Sequence, residues 1–202
     1  MANQFVPPHS SILSECSQEV TDEEMTSKQV EDIITQMHDV AYGEQKDTSK
    51  SVMVGLAAVQ IGITKRIILV DIAADGHGKV GNGKIFINPE ITFYSKEVSE
   101  WYEGCYSTSY VCGIVTRSNR VKVKSQTKDG QVTEQEYEGY IARIFQHEID
   151  HLNGKVFVDH ISRDEDLHHV EKEEFPLYRN NEGWRSWPKK VTREEWNKIK
   201  GY

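Results

Sequence analysis

Apolar residues recur at two spacings along the chain, every third or fourth position and every second position, which separates predicted helices from predicted strands. Val30, Ile33, Ile34, Met37, Val40 and Ala41 keep the helical spacing behind Ser27, a candidate N-cap. His38 and Asp39 fall on the polar face of that helix and read as solvated surface. Ile141, Ile144 and Phe145 bury a second helix, which Gly139 leads into and Gly154 ends. Residues 66–72 form an apolar run that predicts a strand covered on both faces, and strands follow over 85–89 and 91–94. Residues 114–124 alternate, with Val115, Val121 and Val123 inward and Arg117, Arg120, Lys122 and Lys124 outward. That pattern predicts two antiparallel strands with a solvated basic face. Asp129-Gly130 marks a hairpin turn before a returning strand over 132–137. Residues 155–159 read as a short strand. Ser162 with Glu165 reads as a capping box for an acidic helix through Glu174, and Thr192 as the cap of a last helix. Residues 1–25 are polar and Pro-containing, which suits a surface arm, and residues 43–51 form a loop.

Composition narrows the class. The 202 residues suit one domain, or one domain with an extension, and 37% hydrophobic residues suffice for a core. A net charge of −8 argues against a nucleic-acid partner, because neutralising phosphates needs a basic surface. Three cysteines do not make a disulfide framework and fit a reducing compartment. The first eight residues lack the features of a secretory signal or transit peptide, and no apolar run approaches the ~20 residues of a membrane span. A cytoplasmic protein with no membrane partner is the expectation.

The densest chemistry lies in Gln146-His147-Glu148-Ile149-Asp150-His151-Leu152-Asn153-Gly154. On a helix, positions i and i+4 share a face, so His147 and His151 can offer both imidazoles to one metal ion. Glu148 follows the first ligand directly, where a carboxylate reaches a metal-bound water without itself binding the metal, and is the candidate general base. The third ligand must come from elsewhere. Cys105, in Trp101-Tyr102-Glu103-Gly104-Cys105-Tyr106-Ser107, would alone read as a small buried hydrophobe. Beside two imidazoles lacking a partner, its thiolate completes a sound donor set for tetrahedral Zn²⁺ or Fe²⁺ with one open position. Cys16 and Cys112 read as structural. In the small-residue run Gly55-Leu56-Ala57-Ala58-Val59-Gln60-Ile61-Gly62, the Gln60 amide can serve as a donor into a close-approach space, against the plainer reading of a tightly packed turn. A literal G-x-G-x-x-G at Gly76-His77-Gly78-Lys79-Val80-Gly81 is followed by a strand rather than a helix. It reads as a hairpin and implies no nucleotide cofactor.

Taken in order, the stretches from Gly55, from Glu103 and from Gln146 resemble the three motifs of the peptide deformylases. The resemblance runs from about the first helix to about Ile161 and includes Phe86-Ile87-Asn88-Pro89 and Ala142-Arg143-Ile144-Phe145. It implies an α+β fold in which antiparallel β-sheets pack around a central helix carrying HExxH. Residues 1–161 would be a catalytic domain with an N-terminal arm, and 162–202 a helical and irregular extension of it. The implied metal ligands are Cys105, His147 and His151. The implied ion is one divalent metal, Fe²⁺ in that family, with Zn²⁺, Ni²⁺ or Co²⁺ as substitutes in purified protein. The implied reaction removes the N-formyl group from the initiator methionine of new polypeptides. Glu148 would act as base and then acid, while the Gln60 side chain and the Tyr106 backbone N–H hold the oxyanion. Val54, Gly55 and Gly104 would pair with substrate backbone, and Arg143 and Ile144, about one turn before His147, would face the methionine pocket. Partners would be N-formylmethionyl peptides and, transiently, the ribosome.

Several positions depart from the family pattern: Met53 where Gly is usual, Tyr106 where Leu is usual, Ser109 where Pro is usual, and an acidic tail with no basic ribosome-docking helix. Two other readings remain open at this point. One is a zinc metallopeptidase with Glu171 as third ligand. The other is a non-catalytic binding protein on the same fold, supported only by Met53 and Tyr106.

Overall fold

The computed structural model describes residues 5–43 and 53–202, so the loop expected over 43–51 lies, beyond Gly43, outside the described residues. In chain order the elements are α1 (Asp22–Met25), α2 (Lys28–Gly43), β1 (Gly55–Ala57), β2 (Ile67–Asp71), β3 (Gly83–Tyr94), β4 (Val98–Gly104) and β5 (Val111–Ser118). There follow β6 (Arg120–Gln126), β7 (Val132–Glu138), α3 (Gly139–Leu152), β8 (Leu167–His169), α4 (Phe175–Arg179) and α5 (Arg193–Lys200). The strands make a five-stranded sheet, β1-β2-β3-β6-β7, and a three-stranded sheet, β4-β5-β8, with every pairing antiparallel. The fold is α+β.

β2 explains how the layers form. All five of its residues are buried, and alternate side chains point to opposite faces. Ile67 and Leu69 meet Val30, Ile33, Met37, Val40 and Ala41 of α2, while Ile68 and Val70 meet Ala142, Phe145 and Ile149 of α3. Ser27 caps α2 as expected, its hydroxyl accepting from Val30 N–H at 3.3 Å. α3 is buried on nearly every side, which marks a helix enclosed between layers rather than lying on a surface. The α2 cluster also holds Met53, so the side chain that departs from the family pattern turns into the core.

Four sequence expectations need correcting. β5 and β6 are consecutive but do not pair with each other: the chain passes at Asn119 from pairing with β4 to pairing with β3 in the other sheet. Arg117 is buried at 5% exposure rather than solvated, because two carboxylates inside the protein meet it. Residues 155–159 form no strand: the Asp159 carboxylate accepts from Val156 N–H at 2.8 Å and the chain bends into a 3-10 turn, Phe157–His160. The acidic helix expected through Glu174 is replaced by a 3-10 turn, Asp164–Asp166, and then β8. Leu167 and His168 are fully buried against β5, and that burial outweighs the capping pattern. The hairpin at Asp129-Gly130 and the Thr192 capping box of α5 are both present.

The N-terminal arm runs along the end of α3. Ser17 N–H donates to Leu152 O at 2.8 Å and Gln18 N–H to Thr64 O at 2.9 Å, while Leu13 is buried. No helix among the described residues is long and apolar enough to cross a membrane.

Candidate active site

Three elements meet at one point. β4 ends at Gly104, and Cys105 turns the chain into a 3-10 turn, Tyr106–Thr108; α3 brings His147 and His151; the 3-10 turn after β1, Ala58–Ile61, brings Gln60. The donor atoms of Cys105, His147 and His151 all lie within 4.8 Å of one another. Cys105 Sγ is 3.3 Å from His151 Nε2 and accepts from Gln60 Nε2 at 3.1 Å and from Ser107 N–H at 3.4 Å. Burial alone would raise the Cys105 thiol, but the two imidazoles outweigh it and hold the pKa well below the ordinary value. Burial would likewise lower His147, yet Cys105 and Glu103 hold it well above the usual imidazole range, so cation binding must displace its proton. A thiolate with two imidazoles at this spacing fits a divalent ion. The fit is supported by Glu148 Oε2, a buried atom without a hydrogen-bond partner among the described residues.

The support behind these side chains is what sequence reasoning missed. Glu103 Oε2 accepts from His147 Nδ1 at 2.8 Å, which leaves Nε2 for a metal. Glu103 is itself held by Arg117, through Nε and Nη2 at 2.9 Å each, and by Arg143 Nη1 at 2.7 Å. Arg117 reaches on to Asp150, which also meets His160. The available signal was strand alternation, which puts Glu103 on the same face as Cys105. Arg143, expected to face the methionine pocket, is corrected: its guanidinium lies on Glu103, Val115 O and Ser99 O. Ile144 does adjoin the site. A Cβ built on Gly55 would lie 2.8 Å from Ile144 Cγ2 and 2.3 Å from Glu148 Oε1, so Gly55 is the residue that admits the Glu148 carboxylate. Burial pushes the Glu148 pKa up to about 7, partly offset by the two histidines.

Gln60 is buried, its Oε1 fixed by Ala57 N–H at 2.8 Å and its Nε2 shared between Cys105 Sγ and Ser107 Oγ at 3.2 Å. Tyr106 is exposed and stacks on Phe5. Ser109 sits at φ +57°, which proline cannot adopt, so its departure from the family pattern is a backbone difference. β1 and β4, which carry Gly55 and Gly104, are edge strands of their sheets, and Val54 directly precedes β1. Glu171, the alternative third ligand, is exposed and bonded to His169, outside the ligand group.

An α+β scaffold that buries an HExxH helix beside a cysteine-bearing strand defines a metal-dependent hydrolase. Residues 3–166 match the polypeptide deformylase family, and the chain belongs to that family. It is 38% identical over 134 residues to a peptide deformylase of Cellvibrio japonicus, covering 66% of this chain and 75% of that one. It is 46% identical over 110 residues to one of Thermotoga maritima, covering 54% and 62%. Among solved structures, an Acinetobacter baumannii class I type b peptide deformylase superposes with TM-score 0.70 at 34% identity, covering 78% of this chain and 97% of that chain. A Met-Ala-Ser-bound structure of that protein gives TM-score 0.68 at 34% identity, covering 78% and 96%. The family is metal-dependent and deformylates nascent chains, so the metallopeptidase and non-catalytic readings fall away.

Proposed function

We propose that this chain deformylates N-formylmethionyl peptides with Cys105, His147 and His151 holding Fe²⁺ and Glu148 moving the proton. The buried, unpartnered Glu148 Oε2, with a pKa of about 7, carries this reading. The ion supplies Lewis acidity and a water made acidic near neutral pH. Glu148 takes a proton from the attacking water and returns it to the leaving amine. One Gln60 N–H stays on Cys105; the other leaves neutral Ser107 Oγ for the more strongly attracting oxyanion, joined by the Tyr106 backbone N–H. An extended peptide adds between the edges of β1 and β4, pairing with Val54, Gly55 and Gly104, with its methionine side chain toward Ile144.

The test is anaerobic purification with metal analysis and formate release from a formyl-Met peptide. Cys105→Ser is expected to lose metal and activity, and Glu171→Ala to keep both. Retained metal and activity in Cys105→Ser would contradict the ligand set.

A further inference from the structure

We propose that Phe5 and Val6 form a clamp that positions the two oxyanion donors relative to each other. Gln60 follows β1 of one sheet and Tyr106 follows β4 of the other, so no common strand sets their spacing. The arm bridges them within two residues. Val6 N–H donates to the Gln60 backbone carbonyl at 2.9 Å, and the Phe5 ring stacks on the Tyr106 ring with centroids 4.5 Å apart and planes within 5°. Val6 also packs over the turn that holds Gln60, its Cγ1 lying 3.6 Å from a Cβ built on Gly62.

The clamp rests on the oxyanion roles proposed above and explains how they survive turnover. In the resting site the Gln60 side chain ties the two turns together directly, through Cys105 Sγ and Ser107 Oγ. When one Gln60 N–H leaves Ser107 for the oxyanion, half of that tie is lost at the moment when spacing matters most. The Phe5 and Val6 contacts use a ring and a backbone N–H, so they persist through the exchange. The arm has a fixed base from which to act, because Leu13 is buried and Ser17 is bonded to Leu152 at the end of α3. Phe5 is half-buried and also packs against the α2 cluster, whereas Tyr106 is exposed.

The test compares Phe5→Ala, Phe5→Leu and Phe5→Trp in the full, metal-loaded chain. Leu keeps apolar bulk without a ring, and Trp keeps a stacking ring. Expected is a fall in kcat of about tenfold for Ala and Leu, with KM and metal content unchanged and kcat restored by Trp, since small misplacements of a catalytic group cost this much or more. Hydrogen exchange over residues 58–62 and 105–108 should quicken in Phe5→Ala and in Phe5→Leu, and in Phe5→Leu, which keeps apolar bulk against the α2 cluster, α2 stays as protected as before. Wild-type kcat in Phe5→Leu, a loss expressed in KM, or a loss that follows metal content would each overturn the clamp. If the wild-type protein releases no formate, the deformylase reading itself fails. Exchange then decides the clamp alone, and unchanged rates in Phe5→Ala would overturn it.

Discussion

Two guanidinium groups and one imidazole converge on Glu103, and all four side chains are withdrawn from water. Against the opposing effect of burial, Arg117 and then His147 hold the Glu103 carboxyl well below its usual range. Glu103→Gln would leave two buried cations short of a counter-charge, a loss of about 3–5 kcal/mol, and would weaken metal binding about 10- to 100-fold by freeing the His147 ring. Denaturant titration and metal competition measure the two effects, and an unchanged metal affinity would show that His147 needs no such support. Glu148 must be deprotonated to accept a proton. Burial raises its pKa to about 7, and a bound cation opposes that rise and moves the acid limb lower. Below that limb kcat/KM is expected to fall tenfold per pH unit, read from a pH–rate profile. His147 and His151 were legible in the sequence because their spacing is local, and Cys105 followed from the third donor they lacked. Arg117 was not, because an outward arginine on a strand and one buried against Glu103 give the same alternation.

α3 joins structure and chemistry: Ala142, Phe145, Ile149 and Leu152 bury it against the first sheet, and that burial holds the histidines and Glu148 in place. Phe145→Ala is expected to cost about 3–5 kcal/mol, measured by chemical denaturation. Gly55→Ala acts differently. Its Cβ would fall on the Glu148 carboxylate, so turnover should drop by on the order of a hundredfold while the folded state persists. Normal activity with alanine there would mean that Glu148 has room to move. The helix, β2 and the β6–β7 hairpin were legible from periodicity and turn residues. Which sheet each strand joins was not, because β5 and β6 differ in partners rather than in pattern.

Across the whole molecule, the tail beyond residue 161 completes the second sheet and covers it with Tyr178, Trp184 and Trp196. At its centre Lys190 Nζ, which can only donate, lies 2.8 Å from His168 Nε2. His168 must therefore carry its proton on Nδ1 and donate it to Tyr178 Oη at 2.9 Å. Burial, with Lys190 alongside, lowers the His168 pKa from 6.5 to about 4. The unfolded chain takes up this proton first on acidification, so the contribution is intact above pH 6.5 and is lost as pH falls toward 4. The loss amounts to at most about 3 kcal/mol. Glutamine can reproduce both hydrogen bonds without titrating, so His168→Gln should flatten this part of the stability–pH curve, and equal slopes in the two proteins would contradict the assignment. The capping pattern at Ser162 misled because a buried strand pairing is a property of the whole fold, invisible to four local residues.

The most direct measurement is formate release from formyl-Met-Ala-Ser by wild-type protein and Glu148→Gln, with metal counted in both. One ion per chain in each, with release by the wild type alone, is the expected result. Turnover by Glu148→Gln at the wild-type rate, or loss of its metal, would contradict the assignment of Glu148 as the proton carrier of a Cys105, His147 and His151 metal site.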